Sequence, residues 1–233
     1  MYNISKIGYK QYGEFTKEVL DDGYFVELEP QSYFGNCHQS VYCHEINIMI
    51  KIKNNDENYF DFTKGMVDIG SNFGTYSIVL DFDKYYLFDG NPEYNIISQF
   101  NMLLHHKFNQ LKCFTTLLSD KVEKIKYDGY DTNNIKNLEL SENILTSTLD
   151  SYNLNNIGFI KVDVEGMEEK VLRGGIGTII RNNYPPILFE CWDVRYLGMS
   201  QEKHDSLQHF LESLGYEILW YWGDNETHLA IHK

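Results

Sequence analysis

The chain has 233 residues, enough for one α/β domain with additions; it carries a net charge of −14 and is 42% hydrophobic and 15% aromatic. No basic block interrupts the acidic balance, which disfavours nucleic acid as the main partner, because neutralising phosphates needs clustered Lys and Arg. No run is long enough to span a bilayer, MYNISKIGYK lacks the apolar core of a signal peptide, and Cys37, Cys43, Cys113 and Cys191 are scattered as reduced thiols would be, so a cytoplasmic setting is expected.

Residues 1–63 contain no repeat and disperse Tyr9, Tyr12, Phe15, Tyr24, Phe25, Tyr33 and Phe34 through polar sequence. They are expected to form a lead-in subdomain, a substrate cover or a dimer arm, ahead of a main domain over 64–233. Alternation from Gly23 to Glu29 predicts a strand. Cys37-His38 and Cys43-His44 lack the second half that a zinc site needs. His44 to Lys53 has helical spacing in Ile46, Met49 and Ile50, and Glu45 falls at the start of this predicted helix, facing the next turn.

Met66 to Leu80 is the stretch around which the chain is organised. A short apolar run reaches Asp68, a turn is spaced by Gly70 and Gly74, and a helix-compatible segment follows. A strand running into a tight turn and a helix presents a nucleotide-sized ligand at the carboxyl edge of a sheet. The spacing is Asp-x-Gly-x-Asn-x-Gly. A carboxylate at Asp68 would repel a pyrophosphate but not a cationic ligand.

Lys84 to Asp89 predicts a second strand, with Asp89 where a ribose is held in this class of sheet. Asn91 as N-cap and Pro92 at the first position open a helix whose apolar face is Ile96, Ile97, Phe100, Leu103 and Leu104. Cys113 to Leu118 predicts a third strand ending at Ser119-Asp120, and Lys121 to Asn143 a hairpin or an irregular connection. Ile157 to Val164 predicts a fourth strand running through Asp163, Glu165 and Gly166 into a helix over Met167–Leu172, stopped by Gly174 and Gly175. Pro186 to Glu190 predicts a fifth strand and Asp205 to Leu214 an amphipathic helix; Tyr216–Trp222 and Thr227–His232 close the chain as a hairpin. This order gives a three-layer α/β domain with a mostly parallel sheet and one antiparallel pair. Asp68, Asp89, Asp163 and Glu190 all fall at strand carboxyl ends. Gathered carboxylates repel one another unless a ligand, proton or metal uses them.

Met66–Leu80, Phe88–Glu93, Thr148-Leu149-Asp150, Ile160–Gly166, Leu172–Gly175 and Ile187–Glu190 stand in the order seen in the FkbM-type methyltransferases, which the chain resembles over residues 60 to 195. The run Lys161-x-Asp163-x-Glu165-Gly166 is the most specific part. The resemblance implies the Rossmann-like fold of class I methyltransferases: a seven-stranded, mostly parallel sheet with an antiparallel last strand. It also implies S-adenosylmethionine as cofactor. Asp68, Gly70, Ser71, Asn72 and Gly74 look like the loop for its amino-acid end, Asp89 and Gly90 the ribose site, Ser119 and Asp120 the adenine border, and Asp163 and Glu165 the residues beside the methyl group; Glu45 joins them as a cofactor-binding candidate. Asp163, Glu165 and Glu190 are the candidate catalytic carboxylates, and no metal is assigned. Asp89-Gly90 stands where the family usually has Glu-Pro.

The implied reaction is O-methylation of a hydroxyl, that of a sugar in a glycan or glycolipid, with Trp192, Tyr196, Trp220, Tyr221 and Trp222 available either to stack on a sugar or to pack. A secondary metabolite such as a polyketide is the alternative acceptor, and a non-catalytic nucleotide-binding Rossmann module the alternative class. Oligomeric state is left open between monomer and homo-oligomer.

Overall fold

The structure is a computed structural model that describes residues 7–11, 24–28, 41–126, 143–191, 201–220, 222 and 226–233. Ahead of the main sheet lie an antiparallel pair, β1 (Ile7–Gln11) and β2 (Tyr24–Leu28), and helix α1 (Val41–Asn54). Then follow β3 (Gly65–Ile69), α2 (Thr75–Val79), β4 (Lys84–Asp89), α3 (Pro92–Leu104) and β5 (Leu111–Thr115). A small hairpin, β6 (Lys124–Lys126) with β7 (Asn143–Leu145), precedes β8 (Ile157–Val162), α4 (Glu168–Arg173), α5 (Ile176–Arg181) and β9 (Ile187–Glu190). The chain closes with α6 (Gln201–Ser213), β10 (Tyr216–Leu219) and β11 (Thr227–His232).

Seven strands form one sheet in the order β10-β11-β9-β8-β3-β4-β5. The pairs among β9, β8, β3, β4 and β5 are parallel, and β11 runs antiparallel to both β9 and β10. β3 and β8 are buried along their whole length, as central strands covered on both faces must be. Alternation divides their side chains between two cores. Met66, Tyr85, Leu87, Phe159 and Leu188 pack with Ile48, Met49 and Ile52 of α1, Ile78 of α2 and Ile97 of α3. Val67, Ile69, Phe88, Ile160, Val162 and Phe189 pack with Val171 and Leu172 of α4, Ile179 of α5 and Leu207, Phe210 and Leu211 of α6. The result is the predicted three-layer α/β architecture. By the same alternation, Asp68, Asp89, Lys161, Asp163 and Glu190 belong to the face that carries α1–α3. Among the described residues no helix is long and apolar enough to cross a membrane.

Three element-level expectations change. The helix predicted to start at His44 begins at Val41, because nothing in Val41–Cys43 breaks it; Glu45 is therefore its fifth residue and not its start. The third strand ends at Thr115 and not at Leu118: the Thr116 amide makes the last rung to β4, donating to the Asp89 carbonyl at 2.9 Å, and Leu118 then pairs with Ser147 instead. The buried face of α3 is Tyr94, Asn95, Ile97, Ser98, Asn101 and Met102, and Phe100, Leu103 and Leu104 face outward. The N-cap is as predicted: the Asn91 side chain accepts from the Glu93 amide at 2.9 Å, with Pro92 next. Cys37-His38 lies outside the described residues, as do Trp192, Tyr196 and Tyr221.

Candidate active site

The turn after β3 is fixed by its neighbours and not by its own sequence alone. The amides of Gly70 and Ser71 donate to the Phe88 carbonyl at 2.9 and 3.2 Å. Gly70 has φ +72°, and a Cβ there would stand 1.7 Å from the Asp163 carbonyl oxygen. Only glycine lets the two strand ends come this close. Asn72 follows at φ 49°, and its amide donates to Asp89 Oδ2 at 2.9 Å. Asp89 Oδ1 accepts from the Asn91 amide at 2.8 Å. The acid at the end of β4 thus fastens the first loop to the second.

The polar face of α3 supports both loops. Asn101 Nδ2 donates to the Phe73 carbonyl at 2.7 Å, and Asn95 Nδ2 to the Asp89 carbonyl at 3.1 Å and Thr115 Oγ1 at 2.9 Å. Gly90 is packed against Leu117, whose Cδ2 lies 2.3 Å from where a Cβ would sit. A residue with a Cβ in that position would need the Leu117 side chain to move.

The carboxylates of the strand ends are not left to repel one another. Lys161 is a cross-strand partner of Asp68 in the β3–β8 register and is 6% exposed. Its Nζ lies 3.1 Å from Asp163 Oδ2 and 3.7 Å from Asp68 Oδ1, and donates to the Gly70 carbonyl at 3.1 Å. The Tyr76 ring lies under it, with the centroid at 5.3 Å. Asp68 is 1% exposed and accepts from Ser77 Oγ at 2.7 Å. Burial pushes its carboxyl above the ordinary carboxylate range, against the pull of Lys161 and Ser77. Asp68 therefore lies sealed beneath the turn as part of a buried charge cluster, while the Asp163 side chain is one-third exposed at its rim. Lys161 went unassigned in the sequence, although a lysine inside the apolar run Ile157–Val162 was the signal: a buried lysine needs a partner.

Beyond β8 the chain turns through Glu165 at φ 55° and Gly166 at φ 90°. Glu165 is exposed. The turn is braced by Glu168, the first residue of α4, whose Oε1 accepts from the Val164 and Gly166 amides at 3.0 and 3.1 Å; the helix itself has no side-chain N-cap. Burial pushes this carboxyl up to about 7. Glu190 ends β9, next to β8, on the same sheet face. With strands about 4.8 Å apart, the four acidic ends from Glu190 to Asp89 span roughly 14 Å, the width of a nucleoside-sized ligand.

The remaining candidates are less concentrated. Ser119 is buried and donates to Asp120 Oδ1 at 3.1 Å, and Asp120 is exposed. The Glu45 side chain lies outside the described portion of the structure. Trp222 is core, with its ring 6.1 Å from that of Phe60. Trp220 is stacked on His204 at 4.6 Å. Asp150, of the Thr148-Leu149-Asp150 motif, accepts from the Gly177 and Thr178 amides at the start of α5, a structural role. Among the described residues no group of three His, Cys, Asp or Glu side chains could hold a metal ion.

The turn fits a polar ligand. Ser71 Oγ and Asn72 Oδ1 are buried and have no hydrogen-bond partner, a cost of about 1–3 kcal/mol each that a bound polar group would remove. They sit on the loop whose backbone Gly70 holds against β8, beside a cluster with two acids and one lysine.

A family model for the methyltransferase FkbM domain matches residues 12–218. Among solved structures, the chain is similar to methyltransferase FkbM from Methylobacillus flagellatus KT, with TM-score 0.55 and 16% identity over 74% of this chain and 44% of that one. It thus spans less than half of that protein's length. It is also similar to a Methanococcus maripaludis protein assigned as an S-adenosyl-L-methionine-dependent methyltransferase, with TM-score 0.50 and 16% identity over 96% of both chains. The ribosomal protein L11 methylase of Lactobacillus delbrueckii subsp. bulgaricus aligns at TM-score 0.50 and 14% identity, covering 82% of this chain and 79% of that one. At these identities the structural likenesses speak to the fold alone. No curated protein matches the chain.

Proposed function

Because the chain belongs to the FkbM methyltransferase family, we propose that it transfers a methyl group from S-adenosylmethionine to a hydroxyl, that of a sugar in a glycan or glycolipid. The observation that carries the cofactor reading is the pair of unsatisfied buried atoms, Ser71 Oγ and Asn72 Oδ1, on the turn at the carboxyl end of β3. Gly70, Ser71, Asn72 and Gly74 would hold the amino-acid end. Asp89, oriented by two backbone amides, would face the ribose, with Gly90 beside it. Ser119 and Asp120 would border the adenine. When bound, S-adenosylmethionine supplies a methyl group made electrophilic by a sulfonium.

The chain's own residues supply alignment and charge. The acidic edge suits a cationic donor. Lys161 holds the Asp163 carboxylate in one orientation through a 3.1 Å ion pair, so that it can orient an acceptor hydroxyl and take its proton. Glu165 and Glu190 are the other carboxylates proposed to contact the acceptor. Residues 1–63 would cover the acceptor side or form a dimer arm, on a base, α1, that is packed into the core.

The test is product mass spectrometry after incubation with S-adenosylmethionine and a glycan panel. A mass gain of one methyl on a sugar supports the reading. Methylation of polyketide-type hydroxyls alone transfers it to secondary metabolites, and tighter binding of a nicotinamide dinucleotide than of S-adenosylhomocysteine sinks it. In Asp163→Asn, cofactor binding kept with unchanged transfer removes Asp163 as the base.

A further inference from the structure

The β8–α4 turn carries the two acids proposed to face the methyl group, yet its conformation is costly. Glu165 has φ 55°, in a left-handed region that costs a residue with a Cβ roughly 1–2 kcal/mol. Gly166 continues the turn at φ 90°. This backbone is closed by the Met167 amide, which donates to the Val164 carbonyl at 3.3 Å, and is braced by a side chain from the first turn of α4. Glu168 is 2% exposed, and a single oxygen, Oε1, accepts from the amides on both sides of Glu165. The turn is closed on its other flank by the Asp163 amide, which donates to the Ile69 carbonyl at 3.0 Å, and by the Asp163 carbonyl packed against Gly70. Glu168 thus lies under the segment that joins the cofactor turn to the exposed acids, and it does not itself reach the open edge.

We infer that Glu168 is a positioning residue for methyl transfer, one that fixes the Asp163–Gly166 turn so that its carboxylates stand against the sulfonium. The inference rests on S-adenosylmethionine being the cofactor. It separates two tasks that adjoining residues share. Asp163 and Glu165 supply negative charge at the edge; Lys161 orients the Asp163 carboxylate, and Glu168, which supplies no charge there, sets the backbone that carries both acids. A loosened turn leaves the amino-acid and ribose contacts intact, since these come from β3 and β4, and loses only the part of binding that distinguishes a sulfonium from a neutral thioether.

That difference gives a test that needs no acceptor. The full-length protein is titrated at pH 8 by calorimetry with S-adenosylmethionine and with S-adenosylhomocysteine, for the wild type and for Glu168→Ala, Glu168→Gln and Glu168→Asp. The glutamine variant keeps an oxygen that accepts both amides, and its affinity ratio for the two ligands stays within twofold of the wild type. In Glu168→Ala the ratio shifts toward S-adenosylhomocysteine at least fivefold, with S-adenosylhomocysteine affinity itself changed less than threefold. If Glu168→Ala does not fold, Glu168→Asp serves in its place; it keeps the charge, falls one methylene short of the two amides, and shifts the ratio at least threefold. An unchanged ratio in the alanine or aspartate variant overturns the inference, as does a glutamine variant that loses the ratio fully. Binding of neither ligand by the wild type overturns the cofactor reading itself, and this inference with it.

Discussion

Replacing Lys161 by methionine probes the buried cluster directly. The substitution keeps the length and apolar stem of the side chain and deletes the ammonium that lies 3.7 Å from Asp68 and 3.1 Å from Asp163. Asp163 can turn to water at the rim, but Asp68, 1% exposed, cannot. It keeps only the Ser77 bond and stands as an uncompensated buried charge. Breaking a buried pair from one side costs about 3–5 kcal/mol, a large part of the stability of a single domain. Asp68→Asn in the same background removes the orphaned charge, so the double variant should regain about 2 kcal/mol or more over Lys161→Met alone. The assay is urea unfolding followed by circular dichroism, with the four proteins arranged as a double-mutant cycle. The pH dependence has a definite sign. Burial already raises the folded Asp68 carboxyl above its ordinary value, and without Lys161 it rises further. A group raised on folding stabilises the native state below its unfolded value and loses that contribution as pH climbs to the folded one. Lys161→Met should therefore be penalised less near pH 5 than near pH 8. A cost below about 1 kcal/mol at pH 8, or additive single variants, refutes the reasoning.

Gly70→Ala places a Cβ 1.7 Å from the Asp163 carbonyl oxygen at φ +72°; a loss of about 3 kcal/mol in thermal unfolding is expected, with S-adenosylhomocysteine binding undetectable by calorimetry. Asp89→Ala frees the Asn72 and Asn91 amides and should cost about 2–3 kcal/mol and at least tenfold in S-adenosylhomocysteine affinity, whereas an affinity unchanged within twofold would exclude Asp89 from the site. The Glu168 carboxyl, raised to about 7 from its ordinary 4.5, binds its proton more tightly when folded; its contribution is full below pH 4.5 and declines by about 3 kcal/mol up to pH 7. Urea midpoints of Glu168→Gln against wild type, taken between pH 4.5 and 8, should show that slope flattened in the variant.

The fold was legible because its signals are periodic and local. β3 and β8 read as apolar runs broken only by Asp68 and Lys161, the Asn91-Pro92 cap marked α3, and the strand-end acids share one face by simple alternation. The face of α3 was misread because apolar spacing pointed to Phe100, Leu103 and Leu104, whereas the buried side carries Asn95, Ser98 and Asn101. Two of those side chains are needed inside, to satisfy carbonyls of the loops around the site, and hydrophobic patterning cannot register a buried amide with a tertiary partner. The acid that braces the β8–α4 turn was equally hidden. Glu165 and Glu168 are both acids near one helix start; Glu165 sits exposed at positive φ, and it is Glu168 that accepts from the turn amides. Asp89 stood out by position, but its bond to the Asn72 amide, 17 residues earlier in the chain, depends on two strands lying side by side.

The central claim is that the β3 turn and the acidic edge bind S-adenosylmethionine, and its most direct test is titration of the wild-type protein with S-adenosylhomocysteine, the product that occupies the same contacts without reacting. One-site saturable heat is expected. At a hundredfold excess over the dissociation constant, the ligand adds about 2.7 kcal/mol, which should raise the unfolding temperature by roughly 5–10 °C for a chain of this size. No heat and no thermal shift at millimolar ligand, from protein whose circular dichroism shows it folded, would contradict the account.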